Sequence, residues 1–154
     1  MLGNFSTRFF RPYQQEIQSN KKSLHQIVTE ASLIEKEARV EADRARIAGV
    51  LENRLKRRML LQVDATVLYA LGKHKSRVLY RDLEVKSPYN TYRNRGLPPA
   101  PIASPGIPSL EATMRPEQHH YLYYVARPNG EHIFTTTSAE HQRAINQVKM
   151  EKRK

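Results

Sequence analysis

The stretch 24–56, LHQIVTEASLIEKEARVEADRARIAGVLENRLK, decides the fold. Leu24, Ile27, Val28, Ala31, Ile34 and Ala38 recur at three- and four-residue steps, the spacing of one face of an α-helix. Ile47, Val50, Leu51 and Leu55 form a second set of the same kind. Between the two, around 40–46, the apolar spacing falters, which predicts two helices or one bent helix. Ser23 stands directly before the first set with Gln26 three residues on, the pattern of a capping box.

Outward from this core, residues 62–72 (QVDATVLYALG) read as a turn and a short helix ending at Gly72, a C-cap glycine. Residues 73–77 are a basic loop, and 80–85 suggest another short helical turn. Residues 87–108 carry six of the nine prolines. Proline fixes φ and lacks an N–H donor, so this segment is an ordered loop and neither a helix nor a central strand. A helix over 108–115 stops at Pro116. YLYYVA (121–126) and EHIFTT (131–136) flank Asn129-Gly130, a hairpin signal. Residues 138–154 read as a terminal helix, and 1–22 as an N-terminal arm with a short helix around 3–18. The fold class expected is α+β: a helical half, a long Pro-rich loop, a small antiparallel hairpin and a C-terminal helix.

Composition bounds the partners. The 154 residues carry 26 Lys and Arg against 15 acids, a net charge of +11, which favours an anionic partner. The basic residues are scattered, and no nucleic-acid-binding motif is evident, so nucleic acid is not expected. The absence of Cys removes a disulfide framework, thiolate metal sites and a Cys nucleophile. His119, His120, His132 and His141 lack a recognisable metal-ligand spacing with acidic partners, so neither metal nor cofactor is expected. No run approaches the roughly 20 apolar residues that span a bilayer, and residues 1–20 lack the apolar run of a signal peptide. Any export or anchoring segment is therefore expected outside this chain.

One carboxylate stands out. On a helical wheel with Leu24 at zero, Val28 falls near ~40° and Ala31 near ~340°, with Glu35 between them near ~20°. Glu30 and Glu37 fall on the far side, near ~220–240°. A carboxylate facing an apolar interior is costly when charged, so its pKa rises, the property a general acid needs. The alternative is a Glu35 that pairs with a buried Arg such as Arg39. For Asp64, a helix cap is the alternative to a binding role.

ASLIEKEA (31–38), QVDATVLYALG (62–72), SPYNTY (87–92), GLPPAPIASPG (96–106), SLEA (109–112), YLYYVA (121–126) and HIFTTTSAEH (132–141) follow one another in an order that resembles the endolytic murein transglycosylase (YceG-like) family. The resemblance implies a catalytic domain over 23–154, with 1–22 an arm or a remnant of the preceding region. It implies cleavage of the bond between N-acetylmuramic acid and N-acetylglucosamine in peptidoglycan strands, leaving 1,6-anhydro ends. The first Glu of the EKE triplet, Glu35, is then expected as acid and later base. Gln62, Asp64, Tyr89, Asn90, Thr91, Tyr92 and His141 are expected to bind substrate, and the 96–101 loop to wall the cleft. The implied setting is the cell envelope, beside peptidoglycan synthases, with membrane attachment only through a segment this chain lacks. A non-catalytic, peptidoglycan-binding relative of the same family is the competing reading. Ala100 departs from the glycine expected in the Pro-rich motif.

Overall fold

The computed structural model describes residues 6–72 and 77–153. After a π-helical turn at Ser6–Phe10 come α1 (Gln14–Ser19), α2 (Leu24–Glu37), a 3-10 turn at Glu41–Asp43 and α3 (Arg44–Lys56). Then follow α4 (Asp64–Leu71), a 3-10 turn at Tyr80–Glu84, α5 (Ile107–Met114), β1 (Tyr123–Ala126), β2 (His132–Thr135) and α6 (Ser138–Lys152). The architecture is α+β, as the sequence predicts. The basic loop expected at 73–77 falls almost wholly outside the described residues.

The start of α2 is the expected capping box. Ser23 Oγ accepts from the Gln26 amide at 3.1 Å, and Gln26 Oε1 accepts from the Ser23 amide at 2.9 Å. The faltering spacing at 40–46 is the extended Ala38, the 3-10 turn and a fresh helix start. Gly72 closes α4 in the left-handed region at φ 64°.

Helix α2 is packed on every side. Its Leu33 and Ile34 join Ile47, Ala48, Leu51, Leu61, Val63, Ile102 and Ala112 in one apolar cluster. Its Ile27 and Ala31 join Phe9, Ile17, Leu110 and Met114 in another. Every residue from Thr29 to Ile34 is buried, Glu30 included. Glu30 was expected on a polar face; instead its carboxylate meets Lys22 Nζ at 2.8 Å, and the same ammonium meets Glu52 at 2.7 Å. Burial raises the Glu30 pKa to about 7.

The hairpin pairs Tyr123 with Thr135 and Ala126 with His132, antiparallel, around a turn with Gly130 at φ 93°. It is fastened to α3 through Arg54, whose guanidinium donates to Leu122 O at 2.7 Å and Leu60 O at 2.8 Å. Gly49 lets α3 approach the segment before the hairpin. A β-carbon there would lie 2.3 Å from Glu117 O, closer than atoms tolerate.

Candidate functional site: a polar cleft at the end of the central helix

Where α2 ends, the chain turns into the extended Ala38 (φ −79°, ψ 127°). The last helical side chain, Glu37, reaches into a cleft of about 320 Å³. Such a volume suits a small ligand or one or two rings of a polymer. Lys36 and Arg39 line it beside Glu37, Gln62 and Asp64 come from the start of α4, and Tyr92 from the following loop. The hairpin adds Tyr124, Val125, Ala126 and His132, and α6 adds His141.

The lining sorts into fastened and available groups. Arg54 is committed to backbone carbonyls and lies under the Tyr123 ring. His132 is held by Asp43, whose carboxylate accepts from the His132 amide at 3.0 Å and faces its Nδ1 at 3.1 Å. The Tyr92 hydroxyl donates to Asp64 Oδ1. Burial, then that hydrogen bond, pushes the Tyr92 phenol well above its ordinary value, so it stays a donor. Burial, helped by Arg54, holds the His141 imidazole below its ordinary value, which favours the neutral ring.

Glu37 has no hydrogen bond to its carboxylate among the described residues. Burial, reinforced by the negative Asp64 and opposed by Arg39, raises its pKa from the ordinary 4.5 to about 7. A carboxyl group with that value is half protonated near neutral pH, able to give a proton and to take one back.

The structure moves Glu35 away from this cleft. Its Oε1 accepts from the Gly106 amide at 2.8 Å and from Ser109 Oγ at 3.0 Å, so it anchors the N-terminal end of α5. A helix N-terminus suits a carboxylate. Glu35 does not line this cleft; it is half-buried, its Oε1 is engaged at the head of α5, and it makes no ion pair with an Arg among the described residues.

Of the other residues expected to bind substrate, Gln62, Asp64, Tyr92 and His141 line the cleft. Asp64 does not cap α4; it stands at the first helical position and holds Tyr92. Asn90 and Thr91 are buried and Tyr89 is half-buried, and none of the three lines this cleft. Asn90 is fully buried and donates to Leu83 O at 2.9 Å and Val85 O at 2.8 Å. Thr91 Oγ1 accepts from the Val63 amide at 2.9 Å and meets Thr66 Oγ1 at 2.9 Å. The Tyr89 ring packs on Tyr69, 4.9 Å between centroids. The Pro-rich loop does not wall this cleft. It lies along the flank of α2, where His25 Nε2 meets Pro99 O at 2.8 Å and the Ile102 amide donates to Ser32 Oγ at 3.1 Å. Gly96, Leu97, Pro98 and Pro99 instead border a separate depression with Lys22, Glu30 and Glu52.

Glu37, Lys36, Arg39, Tyr124 and His132 were missed from the sequence.

Fold and cleft together define a small α+β domain that presents a partly desolvated carboxyl group, beside a second carboxylate, to a polar groove. The chain belongs to the YceG-like family, whose model matches residues 1–147. It is 55% identical over 136 residues to the endolytic murein transglycosylase of Bacillus subtilis, covering 88% of this chain and 38% of that protein. It is 36% identical over 140 residues to the protein of the same name in Streptococcus pneumoniae serotype 2, covering 87% of this chain and 25% of that protein. A crystal structure of a putative YceG-like protein from Listeria monocytogenes superposes with a TM-score of 0.84 at 50% identity, over 87% of this chain and 44% of that one. The chain thus spans less than half the length of each of these relatives.

Proposed function

We propose that this domain cleaves murein glycan strands within the cell envelope, with Glu37 as the proton donor and acceptor. The observation that carries the reading is the placement of Glu37: one carboxyl group, unbonded, with a pKa near 7, in a groove lined by amide, phenol and imidazole groups suited to a sugar polymer. The relatives' name supplies the substrate class.

The chemistry balances with one acid–base residue. Protonated Glu37 gives its proton to the glycosidic oxygen as the bond to the muramoyl anomeric carbon breaks. Positive charge develops on that carbon, and the neighbouring Asp64 carboxylate favours it. The Glu37 carboxylate then takes the proton of the muramoyl 6-hydroxyl, whose oxygen closes onto the anomeric carbon. The anhydro end forms, Glu37 is reprotonated, and no second nucleophilic carboxylate is needed, an exception to two-carboxylate glycosidases.

The test is mass spectrometry of fragments released from purified sacculi. The wild-type chain should release fragments with anhydromuramoyl ends, one water lighter than hydrolysis products, and Glu37→Gln should release none. Undiminished release by Glu37→Gln removes Glu37 from the role. Release of reducing ends keeps the acid but replaces the 6-hydroxyl by water as nucleophile.

A further inference from the structure

Three cations line the cleft, and they are not equivalent. Arg54 spends its donors on the carbonyls of Leu60, Leu61 and Leu122. Lys36 and Arg39 are exposed and have no carboxylate within ion-pair distance and no side-chain hydrogen bond among the described residues. Elsewhere the chain pairs its long cations readily: Arg46 with Glu117, Arg115 with Glu16 and Arg127 with Glu151. The Arg39 stem runs past Gly130 of the hairpin turn, near enough that a β-carbon there would sit 3.5 Å from Arg39 Cβ and 4.0 Å from Cδ. Together the two groups place two donors, neither in an ion pair or hydrogen bond among the described residues, at the rim beside Glu37, whose charged form Arg39 favours.

We infer that Lys36 and Arg39 form a carboxylate-binding subsite that selects glycan strands by the negative charge on the arm of the muramoyl residue. The inference rests on the reading that the cleft takes murein strands. A guanidinium with a neighbouring ammonium suits a carboxylate better than a neutral amide or hydroxyl. That carboxylate has two sources in such a polymer: the stem peptide, or the lactyl group itself where the peptide has been removed. An uncharged sugar chain offers neither.

The experiment measures apparent KM on four substrates: strands with stem peptides, strands stripped of them by an amidase, and each after carbodiimide-driven amidation of its carboxylates. Three proteins are compared: the wild-type chain, Lys36→Gln/Arg39→Gln, and Arg57→Gln/Lys149→Gln. The last removes the same charge from exposed sites outside the cleft. For the wild type, amidation should raise KM about tenfold, the equivalent of ~1.4 kcal/mol. The cleft variant should lose that ratio and the remote variant should keep it. An effect of amidation on peptide-bearing strands assigns the site to stem-peptide carboxylates; an effect confined to stripped strands assigns it to the lactyl carboxylate. A ratio that survives in Lys36→Gln/Arg39→Gln, that collapses equally in the remote variant, or that is absent from the wild type overturns the inference. If the wild type releases nothing from any strand, the catalytic reading fails instead. Retention of the same proteins on native and amidated sacculi then gives the same comparison without turnover.

Discussion

Glu37→Gln separates the electrostatics of the cleft from its chemistry. In the folded chain the Glu37 carboxyl titrates near 7, against 4.5 ordinarily. The gap of about 2.5 pH units corresponds to ~3 kcal/mol at about 1.36 kcal/mol per unit. The raised value means that the folded state binds the proton more tightly than the unfolded chain. Folding is therefore undisturbed by this group below pH ~4.5, and stability is lost progressively as pH rises from there through about 7. Glutamine has nearly the same shape and never ionises. Urea unfolding of both proteins at pH 4.5 and pH 8.5 should give nearly equal stabilities at the acid end. At the alkaline end Glu37→Gln should be more stable by about 2 kcal/mol, a figure reduced from the full gap because the group is only partly buried. A difference between the two proteins that stays constant from pH 4.5 to 8.5 would refute the reasoning, since it would mean that Glu37 titrates alike in both states.

Other outcomes follow from the same geometry. Glu35→Ala leaves the Gly106 amide and Ser109 hydroxyl without their acceptor and should cost about 1–2 kcal/mol in denaturant unfolding, while fragment release from sacculi persists. Asp64→Asn removes a charge that raises the Glu37 pKa, so the alkaline limb of the cleavage rate should move to lower pH; a limb that stays or moves upward counts against the pairing. Gly49→Ala drives a β-carbon to 2.3 Å from Glu117 O and should cost about 2 kcal/mol or more in thermal unfolding. Asn90→Ala leaves the half-buried carbonyls of Leu83 and Val85 without their donor and should cost about 1–2 kcal/mol, with KM unchanged under conditions where it folds.

Most of the fold was legible because it rests on local signals. The capping box at Ser23, the left-handed Gly72, the break after Ala38 and the Asn129-Gly130 turn each depend on a few adjacent residues. Of the cleft, the sequence marked the EKE turn of helix and Gln62, Asp64, Tyr92 and His141. A helical wheel distinguishes two faces when a helix has a wet side, and α2 is enclosed from Thr29 to Ile34. Over that stretch the wheel does not tell a wet side from a dry one, and Glu30, on its far side, is buried against Lys22. At the helix end the direction of Glu37 is set by the extended Ala38 and by a hairpin some 90 residues along the chain. A polar residue in a loop suggests a ligand contact, but the side-chain amide of Asn90 is given to carbonyls of its own loop, which adjacent residues do not reveal. Lys36 and Arg39 carry no local signal, since their interest lies in the acids that do not face them.

The three glutamates of α2 have divided the helix among different partners. Glu30 is fixed to Lys22, Glu35 to the head of α5, and Glu37 alone is left to the groove. A slide of α2 by a single residue, ~1.5 Å along its axis, would strain both attachments at once. Glu37 is thus pegged to the frame like a fixed anvil. Any widening of the groove has to be made by the opposite wall, the hairpin and the helix behind it.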